Sequence, residues 1–232
     1  MSGLKVIGAI CGVLLFWGYF QTPSGTGDLA SRQTLSINEE ADRIVLGWSG
    51  PVQEPMSEHL AAAFDRYGRD RRRLVLILNS PGGSIEHGRK VVAAIRARDR
   101  GIDTLVEKAG VCASMCVPIF LAGARRIADP EAYFMFHQVS LNSSAKDGMK
   151  EHIKGRELSD VEKASFARVV KSIETHVTDE FFRNDIGIRG VSAVWLAGMR
   201  QKISGRDVWM SGQQLVDEGS GIVDSLIRTA AR

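Results

Sequence analysis

The sequence is poor in cysteine and carries little net charge. Its 232 residues include 3 Cys, and the formal net charge is +3 at pH 7. Because positive and negative charges nearly balance and the basic residues are scattered along the chain, we expect no nucleic-acid partner. A structural zinc site needs two pairs of Cys or His at ligand spacing, and a second pair is missing. We therefore expect neither a metal nor another cofactor.

Charged side chains are absent from residues 6–20, which form an apolar run. The run is short for a membrane helix, which needs about 20 residues, but long enough for a signal-peptide core. No small-x-small cleavage motif follows, and the aromatic residues at its end are typical of a membrane interface. We expect residues 1–22 to remain as a hydrophobic, single-pass membrane helix; a cleaved signal segment is the alternative. Lys5 predicts that the rest of the chain lies on the periplasmic or extracytoplasmic side.

Residues 23–40 are expected to be a linker, because Gly, Ser and Thr are frequent in their first half. In the domain expected over residues 41–232, strand-like runs alternate with helix-like periodic segments. This alternation predicts a layered α/β fold with parallel strands and right-handed crossovers. The expected strands are residues 44–48, 74–78, 102–106, 127–128 and 133–136, and the expected helices are residues 59–67, 85–98, 116–122, 157–183 and 191–199.

Three short segments provide the groups that a serine hydrolase uses. Ser114 lies between small residues at a turn before an apolar helix, and His137 follows a strand-like run. A serine hydroxyl becomes a nucleophile when a base removes its proton, and histidine is the usual base near neutral pH. The glycines of residues 79–83, Asn-Ser-Pro-Gly-Gly, allow a backbone N–H to point at an oxyanion. A small turn residue and a core histidine are the alternatives for Ser114 and His137.

These segments, in this order, resemble the Clp protease proteolytic subunit and other proteins of the ClpP/crotonase-like superfamily. The matching stretches, within roughly residues 44–227, are residues 79–83, 113–115, 121–123, 135–138, 205–211 and 222–224. The resemblance implies a ClpP/crotonase-like layered fold of repeated ββα units, preceded here by the hydrophobic helix. The helix over residues 157–183 would be an insertion that contacts another subunit of a homo-oligomer or covers a cleft. Packing on its own domain is the alternative.

The resemblance also implies the residues of the site. Ser114 would be the nucleophile, His137 its base, and Asp207 the carboxylate that orients His137. The backbone N–H groups of Gly83 and Met115 would form the oxyanion hole. A second carboxylate, Asp185 in Asn-Asp-Ile, competes with Asp207 for the orienting role.

Two departures from Clp subunits favour membrane-anchored or periplasmic ClpP-like serine peptidases within this resemblance. The stretch between His137 and Asp207 is longer than in Clp, and Cys112 and Cys116 are not typical of it. In an oxidising compartment these cysteines could form a disulfide, since one helical turn separates Cα atoms by about 6 Å. If Cys112 precedes the helix, the distance could be too large. Two small buried residues, or a thiol nucleophile, are the alternatives.

The function expected from the sequence is that of a serine peptidase. It would cleave peptide bonds through an acyl-enzyme, with a Ser-His-Asp triad, in an exported and membrane-anchored protein. Its substrates would be peptides or unfolded proteins. The alternatives are a crotonase-like enzyme that acts on acyl-CoA thioesters through the same oxyanion hole and a non-catalytic scaffold of the same fold.

Overall fold

Two β-sheets and six helices make up the part of the chain that the computed structural model describes, residues 32–141, 159–188 and 190–227. The strands are β1 Thr34–Glu39, β2 Arg43–Ser49, β3 Arg73–Asn79, β4 Asp103–Val106, β5 Val111–Ala113, β6 Arg126–Ala128, β7 Tyr133–Phe136, β8 Val208–Ser211 and β9 Ser225–Leu226. The helices are α1 Met56–Arg66, α2 Ile85–Arg96, α3 Cys116–Leu121, α4 Asp160–Phe181, α5 Ala193–Lys202 and α6 Gly212–Asp217. A π-helical turn, Phe182–Ile186, follows α4 directly.

The larger sheet has six strands in the order β1-β2-β3-β4-β6-β9, and all neighbours except β1 and β2 are parallel. Its strand β3 contains the continuous apolar run Leu-Val-Leu-Ile-Leu, which is typical of strands covered on both faces. Helices α1 and α2 are amphipathic, and each buries its apolar side chains at helical spacing. These side chains and those of the strands form one hydrophobic core.

The smaller sheet has three strands in the order β5-β7-β8, with β5 parallel and β8 antiparallel to β7. Two residues, 114 and 115, separate β5 from helix α3, and all residues of α3 are buried. A helix that is apolar on every side needs cover on every side. Pro118 is tolerated in its first turn, where an N–H has no partner within the helix. The buried helix therefore fixes one end of the turn that connects it to β5.

Helix α4 has a strong N-terminal signal. The Ser159 side chain accepts a hydrogen bond from the Glu162 N–H, and the Glu162 carboxylate accepts one from the Ser159 N–H, which completes a capping box. Only Thr178 and Phe181 of α4 are buried. Most of the helix therefore extends along the surface and joins the core at its C-terminal end.

The elements expected from the sequence are present, with ends that differ by a few residues. The fold is a mixed α/β arrangement of two sheets and helices, with parallel strands in the majority. The structure differs at the expected linker, because residues 34–39 form β1 and pair with β2. This edge strand exposes most of its side chains, and its backbone pairing gives no apolar pattern in the sequence. The folded part thus begins at or before residue 34, earlier than residue 41.

The expected membrane helix over residues 1–22 lies outside the described residues. Within the described ranges, no helix combines the length and the apolar character that crossing a membrane requires. The first residues of the helix expected over 157–183 also lie outside them.

Candidate active site

Three strand termini of the small sheet lie side by side at the same end of that sheet. Ser114 follows β5 and His137 follows β7, and these two strands run parallel. Asp207 precedes β8, which runs antiparallel to β7 with Val208 opposite Phe136. The next position along this register places Asp207 opposite His137. The sheet topology therefore brings all three residues to one end of the sheet, although 70 positions (207 − 137) separate His137 from Asp207 in the sequence.

Ser114 occupies a strained turn. Its φ is +53°, in the left-handed region that residues other than glycine rarely adopt. Such a conformation costs on the order of 1–3 kcal/mol and persists where the surrounding structure imposes it. Here the Ser114 N–H donates to the Met135 carbonyl of β7 at 2.9 Å, and the Ala113 N–H donates to the Ser80 carbonyl at 3.0 Å. Hydrogen bonds to Ser80 and to β7 thus hold the turn between β5 and α3 in this conformation.

Ser114 and His137 are in direct contact. The distance from Ser114 Oγ to His137 Nε2 is 2.7 Å, and both residues are partly buried. With a neutral imidazole that carries its proton on Nδ1, the serine hydroxyl donates to Nε2. Burial lowers the pKa of His137, while the negative charge of Asp207 acts in the opposite direction. The net downward shift favours the neutral imidazole, which is the form that accepts the serine proton.

The two competing carboxylates have different surroundings. Asp207 is exposed and acts on His137 through its charge; no hydrogen bond joins the two side chains in the described part of the protein. Asp185 lies in the π-helical turn and accepts two hydrogen bonds from the Arg89 guanidinium of α2, at 2.9 and 2.7 Å. Its carboxylate thus links α2 to the end of α4, whereas Asp207 is the carboxylate that the structure brings to His137.

Two backbone N–H groups beside Ser114 have no acceptor among the described residues, those of Gly83 and Met115. Gly83 lies in the turn after β3, between two residues that are hydrogen-bonded to Val52. The Val52 N–H donates to the Gly82 carbonyl, and the Ser84 N–H donates to the Val52 carbonyl. Gly82, at φ +88°, packs so closely that an added Cβ would lie 2.6 Å from the Ser114 Cβ and 3.1 Å from the Met115 nitrogen. The glycine turn and the serine turn therefore meet at one point, with two free donors available for an oxyanion.

A cleft with a volume of about 560 Å³ opens at the Ser114–His137 pair. One wall is the glycine turn and the start of α2, and the other is the segment that follows β7 together with the end of α4. The lining residues are Pro81, Gly83, Ser84, Ile85, Ser114, Met135, His137, Val139, Ser140, Leu141, Val177 and Phe181. Apolar side chains predominate, so the cleft suits an extended chain with apolar side chains.

The segment after β7 is attached to α4 by two backbone donors. The Val139 N–H donates to the Thr178 hydroxyl at 2.9 Å, and the Leu141 N–H donates to the Glu174 carboxylate at 3.0 Å. The sequence analysis missed Thr178 and Glu174. Their signal, two polar side chains four positions apart on a helix, is too common to indicate such a role.

Cys112 and Cys116 are joined by a disulfide with Cα atoms 5.1 Å apart. Cys112 belongs to β5 and precedes the helix, yet the tight turn keeps the two cysteines within bonding range. Both are fully buried. Sulfur atoms that are bonded to each other are not available as a thiol nucleophile, which leaves Ser114 as the nucleophile candidate at this turn.

Metal-ligating groups are not clustered in the described ranges, where no three or more His, Cys, Asp or Glu are placed to hold an ion. Acyl transfer from a substrate to a serine requires a nucleophile, a neutral base and donors for the oxyanion. The cleft holds a candidate for each of these groups.

Known proteins resemble this chain in sequence. The sequence model of the Clp protease family matches residues 36–230, and the chain therefore belongs to that family. The chain is also similar to an ATP-dependent Clp protease proteolytic subunit of Streptococcus mutans serotype c (strain ATCC 700610 / UA159). The two are 32% identical over 101 residues, which are 42% of this chain and 50% of the relative. The match thus spans about half the length of that relative.

Proposed function

We propose that this protein is a serine peptidase that cleaves peptide bonds through an acyl-enzyme on Ser114. The observation that carries the proposal is the 2.7 Å contact between Ser114 Oγ and His137 Nε2 inside a cleft. Membership of the Clp protease family supports the peptidase reaction in particular.

The reaction follows from the placement of the groups. His137 Nε2 takes the hydroxyl proton as Ser114 Oγ attacks the carbonyl carbon of the substrate. The negative charge that develops on the carbonyl oxygen is stabilised by the N–H groups of Gly83 and Met115. The C–N bond then breaks, and His137 gives its proton to the leaving amine. Water, deprotonated by His137, releases the acyl group, and Asp207 stabilises the imidazolium in both steps.

Labelling with a fluorophosphonate probe tests this function. We expect the full chain to be labelled on Ser114 and to hydrolyse unfolded polypeptide, and Ser114→Ala to lose both activities while it stays folded. Ser140→Ala is the matched control, because Ser140 lines the same cleft and contacts no base among the described residues. Its loss should leave the label on Ser114. Equal hydrolysis by Ser114→Ala and the wild type would refute the assignment. A crotonase-like enzyme or a scaffold would show no Ser114 label.

The location and assembly of the enzyme form part of the proposal. The apolar run at residues 6–20 supports a single-pass anchor, and Lys5 together with the disulfide supports a domain on the periplasmic or extracytoplasmic side. Substrates would then be unfolded, exported or membrane-proximal chains. Protease accessibility of intact and opened cells, after fractionation, tests the topology. A soluble product that is protected in spheroplasts and released without detergent would contradict it.

Self-association is supported by exposed apolar side chains on α4. Val161 is 73% exposed and Val169 is 52% exposed, and the relative named above is described as a subunit. We propose that α4 contacts a second copy of the chain.

A further inference from the structure

The disulfide encloses the catalytic turn within a ring of five residues, 112–116. Cys112 is in β5, Cys116 is the first residue of α3, and Ser114 and Met115 lie between them. Both sulfur atoms belong to fully buried residues, so the bond lies in the core beneath the cleft. The proposed nucleophile and the residue that would supply an oxyanion donor are thus two of the three residues that this bond encloses, the third being Ala113.

The two sides of the turn are held unequally without the disulfide. On the β5 side, hydrogen bonds tie the strand to Ser80, and the Ser114 N–H is bound to Met135 of β7. On the α3 side, the Met115 N–H donates to no acceptor in the described ranges, and the bond that crosses the turn runs from the Val117 N–H to the Ser114 carbonyl at 2.9 Å. The disulfide adds a covalent connection on the side of the turn where the Met115 N–H makes no hydrogen bond to the described residues.

The conformation of Ser114 makes this connection important. A serine at φ +53° returns to a more favourable region unless its neighbours prevent it. Such a rotation would move Oγ away from His137 and turn the Met115 N–H away from the oxyanion position. The disulfide restricts the distance between the residues on either side, and it therefore restricts this rotation.

We propose that the Cys112–Cys116 disulfide positions Ser114 and Met115 for catalysis, so that the peptidase activity proposed above requires the oxidised turn. The inference rests on that proposed function and extends it to the control of the site. A dithiol reductant passes two electrons and two protons to the disulfide, which yields two protein thiols and the cyclic disulfide of the reductant. A disulfide oxidant, such as oxidised glutathione, reverses the reaction.

The test compares turnover by the full chain before and after reduction. Dithiothreitol is applied until the thiol count rises by two, and peptide hydrolysis is then measured well below the midpoint of thermal unfolding. We expect kcat to fall about 10- to 100-fold, as for a displacement of catalytic groups by about 1 Å, with KM nearly unchanged because the cleft walls lie elsewhere. Oxidised glutathione should restore kcat in proportion to the thiols lost.

Variants assign the effect to this pair of cysteines. The double variant Cys112→Ala/Cys116→Ala should have the low kcat of the reduced enzyme and should not respond to dithiothreitol. Cys11→Ala removes the remaining cysteine of the chain and should respond to dithiothreitol as the wild type does. A role in stability alone would lower the melting temperature and leave kcat unchanged, which would overturn the proposal. Circular dichroism separates unfolded variants from inactive folded ones.

The failure of this inference is distinguishable from the failure of the proposed function. An oxidised wild type that neither reacts with a fluorophosphonate nor hydrolyses peptide contradicts the peptidase assignment itself. An active wild type whose kcat is the same with and without the disulfide contradicts the positioning role alone. Three free thiols in the active, purified protein would contradict it as well.

Discussion

At the scale of single residues, the site depends on close contacts between two backbone turns. Gly82 meets the serine turn with no room for a side chain, and Gly88 of α2 packs against the Met115 side chain, where an added Cβ would lie 2.3 Å from Met115 Cγ. Met115 thus has its side chain fixed by α2, and its N–H makes no hydrogen bond to the described residues. The positions of the catalytic atoms follow from the shape of the backbone around them.

Gly82→Ala should therefore inactivate the enzyme. The new Cβ would collide with the Ala113 carbonyl and Ser114 Cβ, each at 2.6 Å, and φ +88° is unfavourable for alanine. We expect kcat to fall by at least about 100-fold, since a shift of about 1 Å has that effect. Gly198→Ala is the control, because Gly198 has open space around it within α5, where alanine favours the helix. Peptide hydrolysis by the two purified variants checks this, and a fully active Gly82→Ala would contradict the contact.

The pH profile should report the titration of His137. The neutral imidazole is the active form, so kcat/KM rises with pH through the pKa of His137. Because burial lowers this pKa, the midpoint should lie below the ordinary value of about 6.5. Asp207→Asn removes the negative charge that raises the pKa, so its midpoint should move to still lower pH. Its kcat should fall on the order of 10⁴-fold, as expected when a triad loses its orienting carboxylate.

Asp185→Asn is the control for this experiment. Its carboxylate pairs with Arg89, and the substitution should leave the midpoint unchanged and the rate nearly so. Profiles of kcat/KM from pH 4 to 9 with an activated ester, which tolerates slow variants, measure both effects. A dead Asp185→Asn, or a midpoint of Asp207→Asn above that of the wild type, would contradict the assignment of Asp207.

At the scale of secondary structure, the sequence predicted the long helices, most of the large sheet and the short strands β6 and β7, but it missed β1, β5, β8, β9 and α6. Strand β3 contains a run of five apolar residues, and helix α2 has apolar residues at helical spacing. Both patterns can be recognised in a single sequence. Strands β5 and β8 have three and four residues, which are too few to show a period. Their pairing with β7 depends on contacts between distant parts of the chain.

The same limit applies to the site. Ser114, His137 and Asp207 were predicted from motifs, because each lies in a short stretch that resembles the family. The attachment of the cleft wall to α4 was not predicted, because hydrogen bonds from Val139 and Leu141 to side chains 39 and 33 residues away leave no local pattern. Long-range contacts of this kind follow from the fold and cannot be read from spacing.

Thr178→Val should loosen that wall. Thr178 is buried, and valine of similar shape would leave the Val139 N–H without its acceptor, at a cost of about 1–3 kcal/mol in the free energy of unfolding. We expect KM to rise more than kcat falls, because Val139 and Leu141 line the cleft. Thr175→Val is the control one turn earlier, where the exposed hydroxyl donates to the Lys171 carbonyl and accepts a long hydrogen bond of 3.4 Å from the Gln138 side chain, with none from the described backbone of the wall. Denaturant titration measures the free energy of unfolding, and steady-state kinetics measure KM and kcat. Equal KM values for both variants would contradict the role of Thr178.

At the scale of the whole molecule, both sheets and their helices contribute to the core, and the small sheet brings Ser114, His137 and Asp207 together. The C-terminal end of helix α4 supports the cleft wall, and its N-terminal half carries the exposed Val161 and Val169. A contact between copies of the chain along α4 would therefore bear on the cleft as well as on the assembly. A substitution on the exposed part of α4, far from Ser114, should therefore be able to change the oligomeric state.

Val169→Glu should reduce the size of the assembly. Val169 is apolar and 52% exposed, and a carboxylate buried there against a second copy would lack a partner, which is strongly unfavourable. Ala167→Glu is the matched control, because residue 167 is also exposed but lies about 200° around the helix from residue 169. Sedimentation velocity of the full chain in detergent should show a smaller species for Val169→Glu and the wild-type species for Ala167→Glu. If both variants keep the wild-type mass, or if the wild type is itself a monomer, α4 does not join two copies of this chain.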